Sequence, residues 1–328
     1  MNAQQIQSLS MPIDGHDFKI IETHASWILI GSVYAYKIKK PVSFSFLDFS
    51  NIKRRWFYCH QELTLNKRLA PEMYLDVLPV KKNESGFFIG EAKGEVVDFT
   101  LKMKRMDFTQ QMNFKLVKDE VTLRHIQQIA EQLAHFHKNV KIIYRDEDVN
   151  SIHEKFADLD SVRDFVREFL GKAAGDTIDQ AISFSDHFTH IHTSRFKDRA
   201  HEGFIINGHG DLHSQNIFIL DPPVIFDCIE FNTDFRHLDV LNDIAFFCMD
   251  LDHYQKPELV QHFLKHYLRL NECMPDKDDE KIFNYYKMYR ANVRLKVNAL
   301  GGIQQQHDTG KVAPKLLEEI SIYSSLLA

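Results

Sequence analysis

The sequence predicts an α+β chain of two lobes, β-rich in its N-terminal third and mainly helical beyond it. Three observations carry that expectation. Short β-branched and aromatic runs punctuate the first hundred residues, and apolar residues recur at helical spacing from about residue 107 onward. A polar loop followed by a strand-turn-strand pattern then interrupts the helical part. The lobe boundary is placed at 106, giving residues 1–106 and 107–328.

Taken in order, residues 18–22, 27–30 and 33–39 read as strands, with Gly31-Ser32 as a hairpin signal and Pro41 closing the set. Ser50 is the expected cap of an amphipathic helix that buries Phe57, Leu63, Leu65 and Leu69 and stops before Pro71. Residues 77–81, 87–90 and 96–103 return to strand patterning, so the first lobe is a small sheet with one long helix. In the second lobe, residues 120–139, 161–170, 259–270 and 281–300 place their apolar side chains on one helix face. The interruption comprises 203–207, the loop HGDLHSQN, 216–220, the turn Asp221-Pro222-Pro223, and 224–227. No repeat, low-complexity tract or Gly/Ser linker is visible.

Composition narrows the function classes. Forty Lys and Arg against 46 Asp and Glu leave a net charge of −6, which gives no general attraction to nucleic acid or to an anionic membrane. The apolar runs fall short of the roughly 18 residues that span a bilayer. The opening MNAQQIQSLSMPIDG has neither a basic patch nor an apolar core, so the expectation is a cytoplasmic chain. Cys59, Cys228, Cys248 and Cys273 lie far apart without a CxxC pair, which predicts reduced, buried thiols.

The chemistry concentrates in residues 209–227. His209-Gly-Asp-Leu-His-Ser-Gln-Asn216 has the spacing H-x-D-x-x-x-x-N, and Asp227 follows Asn216 by eleven residues at the end of an apolar strand. Phosphoryl transfer from ATP needs one carboxylate facing the acceptor hydroxyl and oxygen ligands for Mg²⁺ on the phosphates. Asp211 would be the first; Asn216 and Asp227 would be the metal ligands, hard oxygen donors that suit Mg²⁺.

HGDLHSQNIFIL, VIFDCIEFN and LNDIAFF together resemble the catalytic core of the aminoglycoside phosphotransferase-like and choline kinase-like small-molecule kinases, a branch of the protein-kinase-like fold. YAYKIKKPVSFSFLDFS resembles the N-lobe of a bacterial subgroup of that family, and the likeness runs from about residue 18 to 300. The resemblance implies a two-lobed kinase that uses ATP and Mg²⁺ to phosphorylate a hydroxyl of a small molecule. It assigns Lys37 to the α- and β-phosphates, Glu62 to its ion pair, Asp211 to catalysis, and Asn216 and Asp227 to the metal. Lys39 shares the strand face of Lys37 by alternation and Lys40 adjoins it, so three lysines stay open, with Lys37 preferred. His209 is implied as a brace of the loop and Asp243 as its hydrogen-bonding support.

Two departures matter. No G-x-G-x-x-G is present; the first turn reads Glu22-Thr-His-Ala-Ser-Trp27, so phosphate cover falls to small residues such as Ser26 and their backbone N–H groups. Asp227-Cys-Ile replaces D-F-G, which removes the Phe switch of regulated protein kinases and favours a small-molecule acceptor. Met103, Lys104 and Met106 are placed beside adenine in the connection between the lobes. Glu230 and Asn232 either border the acceptor or form a turn. Tyr286, Arg290 and Arg294 share a helix stripe that reads as a solvated face, or as an anion site if it meets the cleft. Two other functions stay in view: a metal-dependent hydrolase built on His209, Asp211 and His213, and a pseudokinase that binds ATP without consuming it.

Overall fold

The computed structural model describes residues 1–327 apart from 45 and 92. The chain folds into two compact units. One takes Met1–Glu120, His209–Asp211 and Gln215–Arg236; the other takes Val121–Gly208, Leu212–Ser214 and the chain from His237 onward. The first unit therefore runs past residue 106 and takes in most of the 209–227 segment. The sequence cut followed local periodicity alone, whereas the hairpin packs its Phe218 into an apolar cluster with Leu101 and Met103 of the sheet.

That unit is built on a seven-stranded sheet. Its order is Leu9–Ser10, Gly86–Ile89, Tyr74–Asn83, Glu95–Lys104, Tyr34–Lys39, Ser26–Ile30 and Lys19–Glu22. Leu9–Ser10 runs parallel to its neighbour and the remaining pairs are antiparallel. Alternation in Tyr34–Lys39 decides what each face carries. Tyr36 and Ile38 enter a core with Leu9, Trp27, Leu29 and Val80. Ala35, Lys37 and Lys39 take the opposite face.

The helix forms at Ile52–Asn66, and its N-cap is Asn51, whose side chain accepts from the Arg54 N–H; Ser50 lies one residue outside. Its buried face agrees with the expected one at Leu65, which is buried, and at Leu63, which packs on the apolar cluster, and differs elsewhere. Phe57 is 47% exposed, and Arg55, Cys59, Glu62 and Asn66 point inward instead. Arg55 donates from Nε to the buried Asp98 at 2.8 Å and from Nη1 to the Phe49 carbonyl at 2.9 Å, so this polar face is satisfied.

The strand-turn-strand pattern is present as Ile217–Phe218 paired antiparallel with Val224–Ile225. Ile205–Asn207 pairs elsewhere, with His237–Asp239 in the second unit. Around that pair the second unit is helical. Leu123–Asn139 packs against Pro257–Leu270, and Val240–His253 against Asp279–Thr309. Val240–His253 is buried on nearly every side, which is why its sequence lacks a polar stripe. A 3₁₀ turn at Asp158–Val162 delays the helix expected from 161 to Arg163–Leu170. All four cysteines are buried thiols that form no disulfide. Among the described residues no helix is long and apolar enough to cross a membrane.

Candidate active site

Strand alternation sends Lys37 and Lys39 to one face, where the inward polar face of Ile52–Asn66 meets them. Lys37 Nζ lies 2.7 Å from Glu62 Oε1 and 3.0 Å from Asp227 Oδ1. Lys39 Nζ lies 2.6 Å from Glu62 Oε2 and also pairs with Glu230. The result is one ionic chain, Asp227–Lys37–Glu62–Lys39–Glu230, through a largely buried part of the first unit. Lys39 is sealed at 1% side-chain exposure, whereas Lys37 keeps 16%. Lys40 is apart from it, on Glu22 and over the Trp27 ring.

Burial opposes ionisation of Lys37, Lys39, Glu62 and Glu230, so the state of each depends on how far neighbouring charges offset it. For Lys37, desolvation is outweighed by the Asp227, Glu62 and Glu230 carboxylates, and its pKa stands well above the usual lysine range. Desolvation would raise Glu62, but two lysines, one on each oxygen, bring it down to about 2. Glu230 goes the other way: desolvation wins because it has mainly Lys39 for compensation and has Glu62 nearby.

The hairpin and the loop are held to this chain by backbone. Asp227 has a left-handed backbone, φ +61, which is uncommon for a residue with a side chain. Two side chains fix it there: the Asp227 N–H donates to Tyr74 Oη at 3.2 Å and the Cys228 N–H to Asn66 Oδ1 at 2.8 Å. Asn216 donates from Nδ2 to both the Asp211 carboxylate and the Asp211 carbonyl at 2.9 Å. Its own carbonyl accepts from the Phe226 N–H at 3.0 Å, which sets Asn216 beside Asp227. His209 Nε2 donates to the Phe226 carbonyl at 2.9 Å and its Nδ1 accepts from the Asp211 N–H at 3.3 Å. One tautomer satisfies both contacts, and the ring ties the loop to the hairpin. Gly210, φ +87, admits no side chain: a Cβ there would stand 2.7 Å from the Phe235 carbonyl.

Lys37, Glu62, Asp211, Asn216, Asp227 and His209 are thus brought into one region of the first unit. The remaining candidates of the first unit are packed or hydrogen-bonded within the chain. Ser26 is buried opposite Lys39 in the strand register, and its N–H donates to Thr23 Oγ1 at 2.9 Å, an engagement that a phosphate would have to displace. Met103 is buried opposite Ala35, and Met106 packs on the same cluster with Phe218 and Phe226, whose rings stack at 4.8 Å. The Lys104 N–H donates to the Met73 carbonyl. Glu230 is buried on Lys39, and Asn232 forms a turn by accepting from the Asp234 N–H.

In the second unit, Arg290 is buried rather than solvated, because its Nε donates to Asn242 Oδ1 at 2.6 Å and its guanidinium covers the Phe246 ring. Arg294 contacts Tyr323. Asp243 is fully buried beside His137 at 3.2 Å. The Ser214 N–H of the loop donates to Asp250, at 2.8 Å, a residue the sequence reading passed over. Lys39 was legible by alternation as a neighbour of Lys37, but its carboxylate partners were not. His213 lies against Phe246, and among the described residues no group of three or more His, Cys, Asp or Glu side chains is placed to hold a metal.

The choline kinase of Cryptosporidium parvum superposes with a TM-score of 0.53 at 9% identity, over 95% of this chain and 87% of that one. The GDP complex of aminoglycoside 2'-phosphotransferase-IIIa superposes with 0.53 at 12% identity, over 96% and 92%. The chain has the two-lobed, protein-kinase-like fold of aminoglycoside phosphotransferases and choline kinases. No protein-family model matches it. Uncharacterised proteins of Mycobacterium tuberculosis and Mycobacterium bovis are 32% identical over 288 residues, 85% of this chain and 54% of theirs. The chain therefore spans about half the length of those curated relatives. The neighbours in structure are small-molecule phosphotransferases, and at such identities the likeness speaks for fold.

Proposed function

We propose that the chain is a cytoplasmic phosphotransferase that moves the γ-phosphate of ATP to a hydroxyl of a small molecule, with Mg²⁺. One observation carries the reading: Lys37 Nζ is held between Glu62 at 2.7 Å and Asp227 at 3.0 Å. A lysine needed only for packing has no reason to sit partly open against an aspartate of a strained backbone. A lysine that receives phosphate oxygens needs a fixed, ionised partner behind it, and Glu62 is one.

The donor set fits the metal. Asn216 and Asp227 are oxygen-bearing residues of one hairpin, linked through the Phe226 N–H to the Asn216 carbonyl, and few protein oxygens suffice for Mg²⁺ when phosphate oxygens and water complete its shell. When bound, Mg²⁺ would neutralise charge on the transferring phosphates. Asp211, oriented by the Asn216 amide, takes the proton of the acceptor hydroxyl. The acceptor oxygen then forms its bond to γ-phosphorus as the bond to the β,γ-bridging oxygen breaks, and ADP leaves. Ile28, Ala35, Met103 and Phe218 belong to one apolar cluster, the chemistry that a flat base calls for.

Other readings find less support. A hydrolytic metal centre would need His209 and His213 to converge, yet both ring nitrogens of His209 are occupied by backbone groups. A pseudokinase has no use for the complete set Lys37, Glu62, Asp211, Asn216 and Asp227. The test is Asp211→Ala: phosphate transfer from ATP across a panel of hydroxyl compounds should fall by about 10³-fold or more while ATP affinity stays within a fewfold. Unchanged transfer in that variant refutes the assignment.

A further inference from the structure

Four phenylalanines outside the ionic chain form one ring cluster. Phe44 stacks on Phe46 with centroids 5.8 Å apart, and Phe46 meets Phe231 at 6.0 Å and Phe235 at 6.5 Å. Phe231 and Phe235 are themselves 6.3 Å apart, edge to face. Phe44, Phe46 and Phe235 leave 43%, 48% and 38% of their surface to solvent. Contiguous exposed rings of this kind mark binding surfaces on soluble proteins.

The cluster is joined to the candidate site at two points. The Phe235 carbonyl occupies the space beside Gly210, immediately before Asp211. Phe231 directly follows Glu230, the partner of Lys39. The neighbouring charges define what such a surface accepts. Asp48 is paired with Arg54, Glu230 with Lys39 and Asp227 with Lys37, so these carboxylates are already matched by cations of the chain. Asp234 is exposed beside Phe235 and is the residue to vary when testing for a cationic ligand.

We infer that this cluster is the platform for the phosphate acceptor, and that the acceptor carries an aromatic or flat apolar ring beside the hydroxyl it offers to Asp211. The inference rests on the phosphotransferase reading and names its substrate class. Phenylalanine has no polar handle, so these rings recognise a carbon-rich face by stacking and burial. A polycationic amino sugar would instead call for unmatched carboxylates.

The experiment is calorimetric binding to the full chain, with Mg-ADP present and absent, of two probes with the same sugar hydroxyls: phenyl β-glucoside and methyl β-glucoside. The phenyl compound should bind about tenfold more tightly, as burial of part of a ring implies. Phe46→Ala with Phe235→Ala should erase that ratio, with a thermal melt verifying the fold. Phe46→Trp should retain it and show a fluorescence shift with the phenyl compound alone, and Asp234→Asn should leave the ratio unchanged. Equal affinity for the two glucosides in the unaltered chain overturns the inference, as does a ratio that survives the double substitution. So does tighter binding of choline or a polyamino sugar that Asp234→Asn abolishes. The ratio is read without turnover, so a chain that binds no ATP defeats the phosphotransferase reading separately.

Discussion

At the scale of single residues, Glu62 matters because it answers two lysines at once. Three carboxylates, Asp227, Glu62 and Glu230, share two ammonium groups, Lys37 and Lys39, so removing either lysine leaves a surplus of negative charge in a dry place. The two losses differ. Lys39 is sealed and bonded to Glu62 and Glu230, and truncating one partner of a buried pair costs about 3–5 kcal/mol because the other charges remain uncompensated. Lys37 is closer to water and faces Asp227. Urea unfolding should therefore show Lys39→Met as the destabilising change, by about that amount. Lys37→Met should lose phosphate transfer with a smaller shift in midpoint. The opposite ordering would mean that Lys39, not Lys37, is the lysine directed to phosphate. The family resemblance carried Lys37 and Glu62 as a pair. The sequence did not carry Glu230 on Lys39, because alternation gives the face of a side chain and not the loop that closes over it.

At the scale of elements, the helix Ile52–Asn66 explains why parts of the fold were legible and parts were not. Its ends follow local signals, an Asx cap and a stop before Pro71, and these lie within a residue or a few of expectation. Its buried face was legible at Leu63 and Leu65 but not at its polar members, because apolar periodicity assumes that inward means apolar. Here Arg55, Glu62 and Asn66 point inward since Asp98, the two lysines and the Cys228 N–H wait for them. The same logic hid Arg290, whose partner Asn242 lies on a different helix. The polar face has a signature in acid. Glu62 falls from a usual 4.5 to about 2 in the folded chain, so its contribution is complete above 4.5 and is lost as pH falls toward 2. Glu230 is raised on folding, which works in the opposite direction. The clean comparison is Glu62→Gln against the unaltered chain. Its stability deficit, measured by urea midpoints, should be largest at pH 5 to 7 and should shrink steadily below pH 4.5. A deficit that is constant with pH would show that Glu62 is not held ionised by its lysines.

At the scale of the molecule, one compact unit holds the lysine strand, the glutamate helix, Asp211 and the Asn216–Asp227 hairpin together, and the proposed function rests on that grouping. This grouping was invisible to a linear cut at 106, because the hairpin enters the unit from a hundred residues farther along the chain. It makes the nucleotide's footprint predictable. A ligand that binds only the folded state stabilises it by RT ln(1 + [L]/Kd), about 2.7 kcal/mol at a hundredfold excess over Kd. Contact with Lys37 and Asp227 should put the largest local share of that protection into three stretches that are distant in sequence. Hydrogen exchange with and without a non-hydrolysable Mg-ATP analogue should therefore slow together in Tyr34–Lys39, Ile52–Asn66 and residues 209–230. Lys37→Met should remove the joint effect at the same ligand concentration. If protection instead appeared mainly in helices such as Lys172–Ile191 or Pro314–Ser325, the nucleotide would be bound by the second unit and the ionic chain would be a structural device of the first.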